Sequence, residues 1–398
     1  MFLLNKILAI YVGPSGYAVI GQFQNFIQMI TSFSGGAINT GVIKYTAEYH
    51  NTPEKQKIVW QTTGSLVFIL SVSFSILIIL FRAPLSSYIF DSPEYQSIFI
   101  WFAVFLILFN FNALFLAILN GKKEIIKLIV ANIAGSLFSL IVTSLLAIQY
   151  KLYGALISLS IYQSIVFIIT FTLCFKSSWF KINYLFGRIN KNIARNLSYF
   201  MLMALVSAIC IPISQIAIRY YLIDEFGLDY AGYWEAMIRL SAVYLMFVTT
   251  TLGVYYLPRL SELQQIDEIK NEVYRGYKFI FPLALIGGLI IYSLRYFLIQ
   301  FLFSESFSPM ETLFLWQMIG DSLKIGSWIL AFLMLSKMML KLFIITEILF
   351  AFSSVLLTIV GTKLFGFEGV SIAYMTNYAL YWGVIAKFIF SSLNSQRI

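Results

Sequence analysis

The sequence predicts an all-α polytopic membrane protein: about twelve transmembrane helices, the first one short, in two lobes of six. Hydrophobic residues make up 60% of the chain and charged residues only 11%, with a mean hydropathy of +0.84. Soluble chains carry about 25% charged residues. The apolar stretches are long and continuous, without the roughly ten-residue alternation of a membrane barrel, so each crossing segment must satisfy its backbone within a helix. The chain also reads as one unit written twice. Leu80-Phe81-Arg82 through Ile89-Phe90 is matched by Leu294-Arg295 through Leu302-Phe303. Each leads through a basic residue into a Ser/Pro/acidic loop, Asp91-Ser92-Pro93 and then Ser304-Glu305-Ser306. Gly121-Lys122-Lys123 with Lys127 is echoed by Lys337 and Lys341, and Tyr153-Gly154-Ala155 by Glu368-Gly369-Val370, at an offset near 211–215. Many secondary transporters are doubled helical bundles of this kind.

Crossing takes roughly 17–25 apolar residues. Such runs fall at about 1–11 (short), 17–43, 58–81, 97–119, 128–148, 153–175, 197–222, 231–257, 279–301, 312–335, 342–363 and 369–390. The residues before Gly13-Pro14-Ser15-Gly16 are too few to cross, and no cleavage site follows them as in a signal peptide; a truncated or misassigned start at Met1 is expected. Six runs per copy give residues 1–175 as the N-terminal lobe, 176–196 as a cytoplasmic linker and 197–398 as the C-terminal lobe. Both halves then insert with the same orientation.

Lys and Arg set that orientation. Alternate loops hold Lys44, Lys55 and Lys57; Lys122, Lys123 and Lys127; Lys176, Lys181, Arg188, Lys191 and Arg195; Arg259, Lys270, Arg275 and Lys278; and Lys337 with Lys341. The opposite loops carry scattered basics and the acids Asp91, Glu94, Asp224, Glu225, Asp229, Glu305 and Glu368. The positive-inside rule makes the basic loops and both termini cytoplasmic. The formal net charge of +9 is therefore mostly a face toward anionic headgroups, and no nucleic-acid partner is needed to explain it. The linker alternates basic residues with Trp179, Phe180, Tyr184 and Phe186, which suits an interfacial segment and equally a plain connecting loop.

Several kinds of chemistry find no support. Cys174 and Cys210 lie in separate apolar runs, and the one histidine, His50, sits in a polar loop. There is no G-x-x-x-x-G-K-[ST] loop, so ATP held by this chain does not drive it. No cofactor or metal is implied.

Ionisable residues inside spans are costly and are functional candidates by default. Glu235 and Arg239 stand four apart on one helical face, either as a site or as an ion pair that neutralises itself; their first-copy counterparts are Gln24 and Gln28. Asp321 and Lys324 form a second pair, three apart, and with Gln317 make a polar face on the tenth span. Glu347 is alone in the eleventh span and needs a cation from another helix or a proton. Lys44 and Arg219 stand near span ends, where they either reach into a cavity or snorkel to headgroups. Pro212 and Gln215, with Gly35-Gly36, mark places where helices bend or pack closely. Cations on several helices suit an anionic cargo such as a phosphate or pyrophosphate.

Gly13-Pro14-Ser15-Gly16-Tyr17 and Gly41-Val42-Ile43-Lys44-Tyr45-Thr46-Ala47-Glu48-Tyr49-His50 resemble the start of bacterial Wzx-type flippases. Gly232-Tyr233-Trp234-Glu235-Ala236, Tyr255-Tyr256-Leu257-Pro258-Arg259-Leu260-Ser261 and the stretch from Trp316-Gln317 to Gly320-Asp321-Ser322-Leu323-Lys324-Ile325-Gly326 continue the likeness in order. They look most like the O-antigen and enterobacterial-common-antigen (lipid III) branch of the multidrug/oligosaccharidyl-lipid/polysaccharide exporter superfamily. The resemblance implies a MATE-like V-shaped bundle that moves an undecaprenyl-pyrophosphate-linked oligosaccharide from the cytoplasmic to the periplasmic leaflet of the bacterial inner membrane. Alternating access and coupling to an ion gradient belong to the same implication. On this reading Arg239, Lys324, Lys44 and Arg219 engage the anionic head, and Asp321, Glu235 and Glu347 couple or gate. The partners expected are the lipid-linked oligosaccharide, membrane lipids and the polysaccharide polymerase machinery, with the chain acting as a monomer and not as an enzyme. A cation or drug antiporter of the same fold would want a carboxylate-dominated cavity, and a membrane glycosyltransferase would want larger outer loops.

Overall fold

A computed structural model describes residues 2–252, 256, 259–260, 263, 265–337 and 339–394, and among these the chain is helical with no strand. Met1 and residues 255, 257, 258 and 261 of the Tyr255–Ser261 stretch lie outside the described residues. The helices are α1 (Phe2–Tyr11), α2 (Gly13–Phe33), α3 (Asn39–Glu48), α4 (Pro53–Leu80), α5 (Arg82–Phe90), α6 (Gln96–Gly121), α7 (Ile125–Phe175), α8 (Lys191–Phe226), α9 (Leu228–Thr251), α10 (Ile266–Ser293), α11 (Arg295–Leu302), α12 (Phe314–Ser336), α13 (Leu340–Phe365) and α14 (Gly369–Asn394). Seven segments among the described residues are long and apolar enough to cross a membrane. Two of them, Ile125–Phe175 and Leu340–Ser391, hold 51 and 52 residues and contain two crossings each. With short α1, α2 and the charged α9, these give the twelve helices that the sequence predicts.

The runs break where the backbone is forced to turn. The predicted span 17–43 is two helices, α2 and α3, separated at Gly35, whose φ of 138° is open to glycine and strained for other residues. The predicted spans 128–148 and 153–175 meet at Lys151, with φ 51° and ψ −129° inside α7. Just beyond it, a Cβ on Gly154 would lie 1.9 Å from the carbonyl oxygen of Leu146, so the second half of α7 folds tightly back on the first. Gly369 repeats the device: a Cβ there would lie 2.1 Å from the carbonyl oxygen of Gly361, bringing α14 onto α13.

The chain forms two compact units, residues 1–12 with 19–212 and residues 13–18 with 213–398, and passes between them within α8 at Pro212. In the first unit α6 is the most enclosed long helix; its Leu114, Phe115 and Ile118 pack with Trp60, Phe180 and Leu185. The second unit is built likewise around α12, where Ile329, Leu330 and Leu333 meet Leu252, Leu260 and Ile385. The two central helices occupy matching places in the repeat. Each is preceded by a short helix that begins at a basic residue (Arg82, Arg295) and by a 3₁₀ turn, Pro93–Tyr95 or Glu305–Leu313. By contrast, α7 presents Ile126, Ile133, Leu137, Ile141 and Leu145 outward, an exposed apolar stripe that lipid would cover.

Residues 176–190 are docked on the first unit. Gln61 on α4 donates to the carbonyl of Asn183 (3.1 Å), Ser65 donates to that of Gly187 (3.0 Å), and a Cβ on Gly64 would lie 2.0 Å from the Leu185 carbonyl oxygen. Asn190 then caps α8, its side-chain oxygen accepting from the backbone N–H groups of Asn192 and Ile193. Where α6 turns into α7, the Trp179 indole N–H donates to Glu124 (2.8 Å) and Lys127 lies 3.2 Å from the same carboxylate. Those two contacts, the indole first, hold the Glu124 carboxyl below the usual carboxylate range.

Candidate functional site

Two polar clusters occupy the interior of the second unit, and both use α9. Arg219 and Glu235 each stand eight residues from Gly227, the turn between α8 and α9, or about 12 Å along their helices at 1.5 Å per residue. Two antiparallel helices leaving one turn reach the same depth there, so the pairing follows from the hairpin. Arg219 Nη2 donates to Glu235 Oε2 at 2.6 Å, and Arg239 Nε donates to Oε1 at 2.9 Å. One carboxylate thus serves two guanidiniums, and the cluster keeps a formal charge of +1 inside the helices. Aromatic faces flank both cations: Arg219 lies 5.4 Å from the Trp234 ring and Arg239 lies 5.2 Å from the Tyr17 ring. Tyr17 reaches that position because the first turn of α2 rests directly on α9. A Cβ on Gly232 would lie 1.8 Å from the carbonyl oxygen of Pro14. Arg219 is 1% exposed and Arg239 16%, so Arg239 is the cation of the cluster that a solute can meet.

The second cluster surrounds Asp321, fully buried on α12. Its Oδ2 accepts from Ser241 Oγ (2.6 Å) and from the Tyr244 hydroxyl (2.5 Å), both on α9, and Oδ1 accepts from the Tyr374 hydroxyl (2.7 Å) on α14. Gln317, one turn earlier, donates to Ser241 (3.2 Å) and accepts from Ser371 (3.4 Å). The sequence suggests an Asp321–Lys324 ion pair, but among the described residues Lys324 makes none within 4.0 Å. Its ammonium instead lies 5.0 Å from the Trp328 ring, 5.4 Å from Tyr378 and 5.7 Å from Tyr374. Three residues along a helix leave the two side chains as neighbours on one face, so spacing does not keep them apart; the three hydroxyls satisfy the carboxylate instead. Tyr374 is the shared member, with its hydroxyl on Asp321 and its ring toward Lys324.

Tyr374 gets this close because residue 320 is glycine: a Cβ there would lie 2.5 Å from a ring carbon. Gly320→Ala is expected to push the ring off Asp321 and to lower stability by about 1–3 kcal/mol, as overpacking does. Thermal unfolding of the variant in detergent measures it; an unchanged midpoint would mean that Tyr374 swings clear at no cost.

Residues 1–264 match the family described as polysaccharide biosynthesis protein. The chain is also 30% identical over 395 residues to the lipid III flippases of Escherichia coli (strain K12) and Shigella flexneri, covering 96% of this chain and 92% of each relative. The chain belongs to this polysaccharide biosynthesis protein family. Its fold is similar to that of a multidrug resistance MATE family transporter of the MOP superfamily, solved in two conformations. The inward-facing one aligns with a TM-score of 0.80 at 15% identity over 100% of this chain and 95% of that one; the outward-facing one gives 0.70 at 13% over 99% and 92%. At such identities the likeness is one of fold, and it agrees with the all-α polytopic class read from the sequence. A family member of this architecture is a multi-pass membrane protein.

The remaining candidates are placed apart from these clusters. Glu347, half-buried on α13, lies beside Tyr378 and Tyr381 of α14. Lys44 is exposed on α3 in the first unit, its ammonium 5.4 Å from the Tyr45 ring. The first unit has a neutral counterpart of Asp321. Asn110, 211 residues earlier, donates through Nδ2 to Ser34 Oγ (2.7 Å), the Ser34 carbonyl (3.2 Å) and Ser71 Oγ (2.8 Å). At these matched positions the charge belongs to the second copy, as with Gln24 and Gln28 against Glu235 and Arg239. Asn110 was legible as an amide inside a phenylalanine-rich span; reading only for charges passes it over.

Proposed function

We propose that this chain is a flippase that carries an undecaprenyl-pyrophosphate-linked oligosaccharide, an O-antigen or common-antigen repeat unit, from the cytoplasmic to the periplasmic leaflet of the bacterial inner membrane. The observation that carries the reading is the buried Arg219–Glu235–Arg239 cluster. A surplus guanidinium at membrane depth is expensive unless an anion visits it, and a diphosphate matches its forked donors. Kinship with lipid III flippases supplies the cargo class. In this reading Arg239 and Lys324 meet the diphosphate, Arg219 fixes Glu235, and Lys44 meets headgroups or cargo at the cytoplasmic side of the first unit. Asp321, with Glu235 and Glu347, couples an alternating-access cycle to an ion gradient. Both termini are cytoplasmic, the chain works as a monomer beside the polymerase machinery, and it performs no covalent chemistry. A cationic drug as cargo fits a positive cluster poorly.

The test is leaflet-resolved accumulation of the lipid-linked oligosaccharide in cells lacking their own flippase, with and without this chain. Restored outer-leaflet exposure is expected. Arg239→Gln and Lys324→Gln should each lower the rate about tenfold or more, the equivalent of one lost contact of about 1.4 kcal/mol, at unchanged expression and melting. Unchanged transport in both variants would remove these residues from the site.

A further inference from the structure

The first unit contains a cavity of about 240 Å³ to which the charged clusters contribute nothing. Its polar lining is Asn112 on α6, Asn132, Ser136 and Ser139 on the first half of α7, and Tyr162 and Gln163 on the second half; apolar side chains complete it and no charged side chain takes part. We infer that this cavity is a subsite for one neutral sugar unit of the cargo; the inference rests on the flippase reading above.

Depth is the first argument. Asn132 and Ser136 lie seven and eleven residues into α7, about 10–16 Å along the helix, within a hydrocarbon core about 30 Å thick. Both are exposed, and among the described residues neither makes a side-chain hydrogen bond. Polar groups held open at that depth line a water-filled or ligand-filled space rather than facing lipid.

The lining is also preorganised. Thr170 Oγ1 donates to Asn112 Oδ1 (2.7 Å), Asn112 Nδ2 donates to Gln163 Oε1 (2.7 Å), and Gln163 Nε2 donates to the Tyr162 hydroxyl (3.0 Å). These contacts hold both amides in place, and in this polarity the Tyr162 O–H hydrogen is left to be donated into the cavity. Donors and acceptors interleave around the wall, with an aromatic ring beside them, which is the complement of a hydroxyl-bearing ring with one apolar face.

Charge and size narrow the occupant. A diphosphate placed here would be a buried anion without a cation, which is strongly unfavourable. At about 240 Å³ the cavity falls below the roughly 300–1,000 Å³ of drug-sized sites. It fits one sugar ring rather than a chain of them.

The experiment uses the full chain in lipid nanodiscs and two probes, bare undecaprenyl pyrophosphate and undecaprenyl pyrophosphate bearing one neutral hexose. The quantity read is the ratio of the two affinities. The unaltered chain should favour the hexosyl lipid, and Asn132→Leu combined with Ser136→Val should lower the ratio about tenfold. Tyr162→Phe, which keeps the ring and removes only the O–H, should lower it in the same direction. Arg239→Gln should weaken both probes and preserve the ratio. A ratio near one in the unaltered chain, or a ratio unmoved by both cavity variants, would overturn the sugar subsite and leave the flippase reading standing, with the cavity holding water only. Failure of the unaltered chain to bind either lipid would overturn the flippase reading, and this inference with it.

Discussion

Replacing Glu235 with glutamine is expected to cost about 3–5 kcal/mol of stability, the usual result of removing one member of a buried ion pair. Glu235 is the carboxylate that holds both Arg219 and Arg239. Without its charge, two guanidiniums face each other in a water-poor interior, one of them almost wholly enclosed. Glutamine keeps the shape and one accepting oxygen, so the loss is electrostatic rather than steric. Arg239→Gln should behave differently. Glu235 still holds Arg219 at 2.6 Å, the fold survives, and transport falls. Replacing Arg219 and Glu235 together with methionine should recover much of the stability, yet leave Arg239 poorly positioned and transport low. Thermal unfolding and leaflet-resolved transport, measured on the same samples, separate these cases. An unfolding midpoint for Glu235→Gln equal to that of the unaltered chain would mean that water already solvates the cluster.

What the sequence showed and what it hid differ by the range of the interaction. Composition and run length are local, and they located the helices. The turn at Lys151 falls between the predicted runs 128–148 and 153–175, whereas the run 17–43 reads as one span because Gly35, marked only as a bend, turns the backbone without interrupting the apolar pattern. The repeat was legible because Arg82 and Arg295 begin equivalent short helices. Within the site, Glu235 and Arg239 are one turn apart and were visible as a pair. Arg219 was visible only as a cation near a span end, since its contact to Glu235 depends on a hairpin that brings equal depths together. The partners of Asp321 lie 80, 77 and 53 residues away in the chain. No helical spacing announces such contacts, so the nearby Lys324 stood in for them. Neutral polar groups left the weakest trace: Gln24 and Gln28 were visible only as counterparts of a charged pair, and Asn110 and Asn112 were passed over.

Asp321→Asn is expected to abolish the dependence of transport on a proton gradient while leaving the fold in place. The asparagine oxygen can accept from Ser241 and Tyr244, and its Nδ2 can donate to the Tyr374 oxygen, so the side chain keeps all three neighbours; the charge is lost, and the Tyr374 O–H hydrogen must turn to another acceptor. Asp321→Ala instead removes three hydrogen bonds to a charged acceptor, each worth about 1.5–3 kcal/mol, and should destabilise by about 5 kcal/mol or more. Proteoliposomes carrying an imposed pH difference distinguish the two effects: the unaltered chain should respond to the gradient, and folded Asp321→Asn should not. A gradient response retained by Asp321→Asn would exclude Asp321 as the coupling group and turn the test to Glu347→Gln. Tyr374 gives the physical reason for the expectation. Its hydroxyl is held by Asp321 while its ring lies 5.7 Å from the Lys324 ammonium, so a proton on Asp321 loosens the hydroxyl and with it the ring that faces the cation. An anion drawn to Lys324 acts on the same ring from the other side. Binding equilibria that share one side chain are reciprocally linked, so protonation of Asp321 must change the affinity at Lys324 by the same factor that cargo changes the affinity for the proton.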